Sequence, residues 1–296
     1  MRQKTITLIF FILLLATNFA CGETNPTTNQ DTFSPITISD SLNREIQFTN
    51  PPERIIAFDS AAVEILFSIG EGKRIVGTHD FVSFPPETAS IPKVGDAFNM
   101  NLESVIELNP DLVFVFSPTH IQNLEKAGLK VLYIESRQSG LLEISKDILM
   151  WGEIVGSESQ AAAISKDFEE KTISIQNKIA SQKQNFSVFQ DIGGFWTPGN
   201  DTLMNDVFNL LNLSNIAFDI NGYQQIGVET IVERNPDIIL ASDVSVYTAN
   251  SNFSNLAAGT NGRIIELNDE SLSIAGPRFI TGVTNLAKAI YPEIFE

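Results

Sequence analysis

The chain has 296 residues, of which 36 are Asp or Glu and 19 are Lys or Arg, so its formal net charge is −17. This charge argues against a nucleic-acid-binding protein, which needs a basic surface to displace counterions from phosphate. A single cysteine excludes a disulfide framework and a cysteine-cluster metal site, whereas the hydrophobic content of 43% is sufficient for a packed core.

The N-terminal segment has the pattern of a secretory signal peptide. Arg2 and Lys4 precede an apolar run, residues 6–16, that is too short to cross a bilayer of about 30 Å as a helix. The only cysteine, Cys21, follows directly and looks like the lipidated residue of a bacterial lipoprotein. Residues 18–20 (Asn-Phe-Ala) depart from the Leu and small residues expected before such a cysteine, so an ordinary secretion signal stays open.

A polar segment rich in Thr and Asn follows the cysteine and is typical of a flexible linker. We therefore predict a signal peptide at residues 1–20 and a lipidated cysteine with a tether at residues 21–35. The rest of the chain is then held to a membrane of the cell envelope, outside the cytoplasm, through a lipid anchor.

Residues 36–140 alternate between short apolar runs and helical patterns. The predicted elements are a hairpin at 36–48, strands at 54–58, 112–116 and 131–134, and helices at 60–69, 102–108 and 120–127. This alternation is typical of a parallel sheet with helices on both faces, so the fold class is α/β.

A different pattern begins at residue 141. Hydrophobic residues recur at intervals of three or four as far as residue 182, interrupted only by Gly152 and Gly156, which predicts one connecting helix of up to roughly 60 Å. The strand–helix alternation then resumes and ends with a helix at residues 279–290.

An internal repeat supports a division into two lobes. Residues 103–113 and 229–239 each encode a short helix, an Asn-Pro-Asp stop and a buried strand, with apolar residues at matching positions. Convergence on a common helix–turn–strand unit is the alternative to duplication. Duplication predicts an N-terminal lobe at 36–140, a connecting helix at 141–182 and a C-terminal lobe at 183–296, with a ligand cleft between the lobes.

The order of these features resembles the periplasmic-binding-protein family for iron–siderophore, haem and cobalamin uptake. The resemblance covers roughly residues 36–296 and rests on the ordered set of the lipoprotein signal, the strand at 54–58, Phe84-Pro85-Pro86, Asn101-Leu102-Glu103, the Asn-Pro-Asp stop, the long helix and Val228-Glu229. It implies two Rossmann-like lobes joined by a single long helix. It also implies a monomeric carrier without a cofactor, working with the permease and ATPase subunits of an ABC importer. Glu103 and Glu229 match the glutamates by which such proteins dock on the permease.

An enzyme is the alternative function. His79 and Asp80 are adjacent and could serve as the acid–base pair of an extracytoplasmic enzyme acting on a small molecule. Neighbours in sequence point apart more often than together, however, and no nucleophile–base motif accompanies them.

Aromatic residues among Gly, Pro and polar residues suggest where a ligand binds, because Phe and Trp in loops can stack on a flat conjugated ligand. The predicted ligand-binding residues are Phe81, Phe98, Trp196, Phe195, Asp80 and Arg278. Phe195 could instead cap the second sheet, and Arg278 could be structural.

The resemblance also ranks the ligands, all of which are small-molecule metal chelates. Haem-binding relatives carry a Tyr or His in the loop that here reads Gly95-Asp96-Ala97-Phe98, which makes haem the least favoured. Relatives that bind anionic ferric siderophores use arginines, for which the candidates are Arg137 and Arg278. A corrinoid such as cobalamin fits an aromatic cleft poor in positive charge and ranks first, ahead of a ferric siderophore.

Overall fold

The computed structural model describes residues 33–136 and 139–295. The predicted signal peptide, Cys21, most of the predicted tether and Arg137 lie outside the described residues. Within these two ranges, no helix combines the length and the hydrophobicity that crossing a membrane requires.

The N-terminal lobe is a four-stranded parallel sheet preceded by an antiparallel hairpin. The sheet order is β4-β3-β5-β6, and its central strands β3 and β5 are buried at every residue because both faces are covered. The elements are β1 (Ile36–Ser39), β2 (Glu45–Phe48), β3 (Ile55–Phe58), α1 (Ser60–Ser68), β4 (Ile75–Thr78), α2 (Leu102–Glu107), β5 (Leu112–Val115), α3 (Ile121–Lys126) and β6 (Val131–Tyr133).

Two helices follow, where the sequence predicts one. The predicted helix at residues 141–182 is divided into α4 (Glu143–Val155) and α5 (Glu158–Ile179). Gly156 ends α4 in the left-handed conformation, at φ 72°, and its N–H donates to the Gly152 carbonyl, which is a helix stop that glycine adopts without strain.

Helix α5 is the element that joins the lobes. At its N-terminus the Ser157 hydroxyl donates to Glu71 of the N-terminal lobe over 2.8 Å. At its C-terminus Lys178 lies 4.9 Å from the ring centroid of Phe295, in the C-terminal lobe. The 22 residues of α5 extend over about 33 Å, so the connecting helix is shorter than the sequence predicts.

The C-terminal lobe has a second four-stranded parallel sheet, in the order β12-β11-β7-β9, and a separate antiparallel pair, β8 with β10. The elements are β7 (Phe186–Asp191), β8 (Trp196–Pro198), α6 (Leu203–Leu210), β9 (Leu213–Asn215), β10 (Tyr223–Gln225), α7 (Val228–Arg234), β11 (Ile238–Ala241), α8 (Ser245–Thr248), α9 (Ser251–Ser254), α10 (Ala257–Thr260), β12 (Ile264–Glu266) and α11 (Phe279–Ile290).

The two lobes share one topology. When the strands of each sheet are numbered in chain order, both sheets have the order 2-1-3-4. The two copies of the repeated segment also have the same local conformation. Asn109 and Asn235 both follow their helices with a positive φ, 45° and 44°. Asp111 accepts a hydrogen bond from Arg54 N at the start of β3, and Asp237 accepts one from Ser187 N near the start of β7. These shared features favour duplication over convergence.

Candidate functional site

Three adjoining chambers lie where the carboxyl ends of the two sheets face each other. The first, of about 360 Å³, is lined by residues that end or follow β3 to β6, and the second, of about 410 Å³, by residues at the ends of β7 and β11. The first two chambers share Tyr223, Ser273 and Ala275, and a third, of about 170 Å³, shares Ser60, Ser273 and Ile274 with the first. In parallel sheets of this order the crevice between strands 1 and 3 is the usual place for a ligand.

The first chamber has aromatic walls and acidic groups. Trp151 is 1% exposed and packs edge-on against Phe114, with the ring centroids 5.0 Å apart, so this wall is rigid. Asp59 caps α1 by accepting a hydrogen bond from Ala62 N, yet burial raises the pKa of its carboxyl group. Glu135 and Asp147 line the same chamber.

His79 is buried in the first chamber as a neutral imidazole. Burial and then the nearby Lys93 ammonium lower the pKa of His79 to about 4. Its Nδ1 accepts a hydrogen bond from Phe81 N over 3.2 Å, so in the neutral ring the proton is on Nε2, which lies 3.3 Å from the Ser60 hydroxyl oxygen. Nε2 therefore donates to Ser60 and cannot remove its proton, which excludes a serine–histidine nucleophile pair in this state.

Asp80 has a different environment from His79. It is exposed, its backbone N–H donates to the Gly95 carbonyl over 2.8 Å, and the lining of the three chambers does not include it. The adjacent residues predicted as an acid–base pair therefore do not share a chamber.

The second chamber is polar. Asp191 accepts hydrogen bonds from Gly193 N and Phe195 N through Oδ1, and from the Tyr247 hydroxyl through Oδ2 over 2.6 Å. These bonds hold the loop between β7 and β8. Beside Asp191, Gln190 is buried and also lines the chamber.

The third chamber contains a contact between the lobes. Arg278, at the start of α11, donates from Nε to Glu64 Oε1 on α1 over 2.8 Å, and its guanidinium carbon lies 4.0 Å from the Phe84 ring centroid. Glu64 is almost fully buried, and this burial raises the pKa of its carboxyl group to about 7 although Arg278 opposes the shift.

The structure brings together only some of the predicted ligand-binding residues. Phe81, 67% exposed, and Arg278 both line the third chamber. Phe98 and Trp196 are exposed but do not line these three chambers. Phe195 is half-buried and packs against the rings of Tyr247 and Phe253, at 6.3 and 6.0 Å, on the core of the C-terminal lobe.

Several lining residues were not predicted from the sequence. Tyr223 and the segment 273–275 connect the chambers, yet neither carries a local pattern that distinguishes it from an ordinary turn or edge strand. Gln190 and Asp191 do have a signal, because two polar residues end a strand whose other residues, apart from Ser187, are apolar and buried.

Glu103 and Glu229 occupy equivalent places on the two lobes. Each is exposed in the first turn of its helix, α2 or α7. One turn further along, each helix also exposes an apolar side chain, Ile106 (48% exposed) or Val232 (40% exposed). Each helix leads into the amino end of a parallel strand, so its N-terminus lies toward the carboxyl edge of the sheet, where the chambers are.

Comparison with known proteins favours one of the two functions that the sequence leaves open. Residues 55–270 match the family model described as periplasmic binding protein. The chain belongs to this family. It is 32% identical to the ABC transporter substrate-binding lipoprotein YvrC of Bacillus subtilis (strain 168) over an alignment that covers 97% of this chain and 98% of that protein.

Two further comparisons also match this chain to binding proteins. A cobalamin-binding protein of Halobacterium salinarum is 24% identical over 279 residues, which cover 87% of this chain and 74% of that protein. The crystal structure of a possible iron-binding, periplasmic solute-binding protein from Staphylococcus epidermidis superposes with a TM-score of 0.72 at 26% identity, covering 82% of this chain and 100% of that one.

The predicted family and the two-lobed α/β fold are thereby confirmed. The protein is a substrate-binding component of an ABC transporter, so its partners are a permease and an ATPase, and its place is outside the cytoplasm. Members of this family are transport components rather than enzymes, which does not favour the His79–Asp80 alternative. Within the described ranges, no group of three or more His, Cys, Asp or Glu side chains could hold a metal ion.

Proposed function

We propose that this protein captures a corrinoid and delivers it to the permease of an ABC importer. The observation that carries the proposal is the charge of the cleft. Among the described residues that line the two larger chambers, none is Lys or Arg, whereas Glu135, Asp147, Asp191 and Asp269 are acidic. Carboxylates repel an anionic ferric siderophore or the propionates of haem, so a large neutral ligand held by apolar contacts and hydrogen bonds is favoured.

The aromatic residues of the cleft support the same ligand class. Phe114 and Trp151 form an apolar, aromatic wall in the first chamber, and Phe81 lies exposed at the third. We propose that Phe81 contacts the ligand at the entrance and that Arg278, paired with Glu64, contributes mainly to the structure there. Ligand contact by Phe98, Trp196, Phe195 and Asp80 stays a prediction. The name of the Halobacterium relative, a cobalamin-binding protein, agrees with a corrinoid.

Titration calorimetry with cyanocobalamin, hemin and a panel of ferric siderophores tests the proposal. We expect one-to-one binding of cyanocobalamin with a Kd of about 1 µM or below, which corresponds to about −8 kcal/mol or better. Phe81→Ala should weaken this binding several-fold through lost ring contact. Phe218→Ala is the matched control, because Phe218 is equally exposed (66%) but packs on Arg234 and lines none of the three chambers. Binding of hemin or a ferric siderophore in place of cyanocobalamin would reject the corrinoid assignment.

We further propose that Cys21 carries the lipid that anchors the protein to the membrane. Cys21→Ser should release the protein from the membrane fraction to the soluble fraction, because no second cysteine exists to accept diacylglycerol. Mass spectrometry of the mature N-terminus checks this. A wild-type chain that begins at another residue, without lipid, would contradict it.

A further inference from the structure

Gln190, in the C-terminal lobe, occupies a position where the N-terminal lobe has an apolar residue. It pairs in the sheet with Leu240, the third residue of β11. In the N-terminal lobe, the residue that pairs with the third residue of β5, Phe114, is Ala57, and Ala57 is fully buried. Since the two sheets share one strand order, the C-terminal lobe has an amide where its equivalent has a methyl group.

The side-chain oxygen of Gln190 is buried without a hydrogen-bond partner. Gln190 is only 8% exposed, and its Oε1 has no donor within the described part of the chain. A buried acceptor without a partner lowers the stability of the fold, because its hydrogen bonds to water are lost on folding and no hydrogen bond within the protein replaces them.

The carboxylate oxygens of the second chamber, unlike Gln190 Oε1, accept hydrogen bonds from the protein. Both oxygens of Asp191 accept hydrogen bonds from the protein, and Asp269 accepts from Ser271 through Oδ1 and from Asn285 through Oδ2 over 2.9 Å. The carboxylates are therefore part of the framework, whereas Gln190, which lines the same chamber, has a buried acceptor that no protein donor satisfies.

We propose that the second chamber is a ligand compartment in which Gln190 Oε1 accepts a hydrogen bond from a primary carboxamide of the substrate. An N–H donor satisfies the buried oxygen, whereas a carboxylate would place acceptor against acceptor beside Asp191 and Asp269. The Ser242 hydroxyl, in the same chamber, is able to donate to the carbonyl of that amide.

This inference rests on the proposed function and makes it more specific. A corrinoid carries several primary carboxamides around an apolar, conjugated ring. The ring would lie against the aromatic wall of the first chamber while one carboxamide enters the second, since the two chambers share Tyr223, Ser273 and Ala275. Gln190 is then a specificity-determining residue that distinguishes an amide from the corresponding acid.

The first arm of the test measures stability without ligand. Gln190→Met keeps the approximate shape of the side chain and removes the unpaired oxygen. Gln190→Ala introduces the residue type that the N-terminal lobe has at the equivalent position, Ala57. We expect the melting temperature of Gln190→Met to equal or exceed that of the wild type, because no hydrogen bond is lost within the protein. Gln176→Met, an exposed glutamine of α5, is the matched control. A melting temperature several degrees below the control would show that Gln190 is a structural residue and would overturn the proposal.

The second arm measures ligand discrimination with cyanocobalamin and its monocarboxylic acid derivatives, in each of which one side-chain amide is hydrolysed. The wild type should bind at least one derivative tenfold or more weakly than cyanocobalamin. Gln190→Met should bind cyanocobalamin about tenfold more weakly and lose most of this discrimination. A variant that retains wild-type affinity and discrimination would overturn the proposal.

The two arms separate this inference from the proposed function. A wild type that does not bind cyanocobalamin would reject the corrinoid assignment in the calorimetry. The ligand-free melting temperatures still test Gln190 in that case, because they depend on the unpaired oxygen and on no particular ligand.

Discussion

The contact between Glu64 and Arg278 shows how one pair of residues connects the two lobes. The residues are 214 positions apart in the chain. Glu64 Oε1 accepts a hydrogen bond from Arg278, whereas Glu64 Oε2 has no partner in the described structure. A buried ion pair of this kind contributes little net stability, but removing one partner leaves an uncompensated charge.

We predict that Arg278→Met destabilises the protein by about 3 kcal/mol at pH 8, because the buried Glu64 loses its cationic partner and must either stay charged without it or take up a proton. The loss should be smaller at pH 5, where Glu64 is protonated. Urea unfolding measures both values. Lys171→Met, which removes the exposed ion pair with Asp167 on α5, is the control and should cost less than about 1 kcal/mol. Equal losses for the two variants would contradict the prediction.

A pH dependence follows from the raised pKa of Glu64. The folded chain holds this proton up to about pH 7, whereas the unfolded chain releases it near its ordinary pKa of 4.5. Between these values the folded state binds more protons, so the free energy of unfolding falls as the pH rises, by up to about 3 kcal/mol.

We therefore predict that the free energy of unfolding of Glu64→Gln, relative to that of the wild type, increases as the pH is raised from 5 to 8. The difference between the two proteins is the quantity to measure, because the lowered pKa of His79 gives a stability change of the opposite sign that cancels in the comparison. A difference in unfolding free energy that is the same at both pH values would contradict the assigned shift.

At the scale of elements, the close approach of α4 and α5 depends on one glycine. A Cβ atom on Gly152 would lie 2.3 Å from the Cβ of Ala161, which is closer than two non-bonded carbon atoms can approach. The sequence identifies Gly152 and Gly156 as the interruptions of a helical pattern, but it does not reveal that the chain turns there and packs α5 against α4. Local periodicity reports the helical faces, and only the tertiary packing decides where one helix ends.

We predict that Gly152→Ala lowers the free energy of unfolding by about 1–3 kcal/mol, although alanine favours a helix more than glycine does. Adding Ala161→Gly should restore part of the loss, because it removes the methyl group that the new one meets. Ala161→Gly alone is the control and should cost about 1 kcal/mol through helix propensity. A double variant less stable than Gly152→Ala alone would refute the steric explanation.

At the scale of the whole molecule, the repeated Asn-Pro-Asp segments predict the two lobes correctly because each step has a local cause. The Asn takes the left-handed conformation, the Pro ends the helix, and the Asp binds the amide of the neighbouring strand. The cleft is less predictable from the sequence, because Tyr223, the segment 273–275 and Glu64 meet only after the lobes pack together. The aromatic loops are recognisable in the sequence, yet their composition does not distinguish Phe81, which lines a chamber, from Phe195, which packs against the core of its lobe.

The matched positions of Glu103 and Glu229 lead to a prediction about docking. A two-lobed protein that sits on a two-fold permease needs the same kind of contact on each lobe. Asn101 already caps α2 by accepting from Ser104 N, so that helix does not require the Glu103 carboxylate for capping, and a helix-dipole effect would be worth only about 0.3–1 kcal/mol. The exposed Ile106 and Val232 beside the two glutamates add apolar area that becomes buried when a partner binds.

We predict that the double variant Glu103→Arg/Glu229→Arg abolishes ligand uptake and weakens binding to the permease complex at least tenfold, while the Kd for the ligand stays unchanged. Charge reversal replaces attraction to basic permease residues with repulsion, so binding of the wild type should also weaken with added salt. The control is Glu153→Arg/Glu169→Arg, which makes the same charge change at exposed positions of α4 and α5. Binding to reconstituted permease and uptake into vesicles provide the measurements. Equal transport by the two double variants would mean that Glu103 and Glu229 act only on their own helices, whereas a defect confined to the first would place the permease on the side of the molecule where the cleft opens.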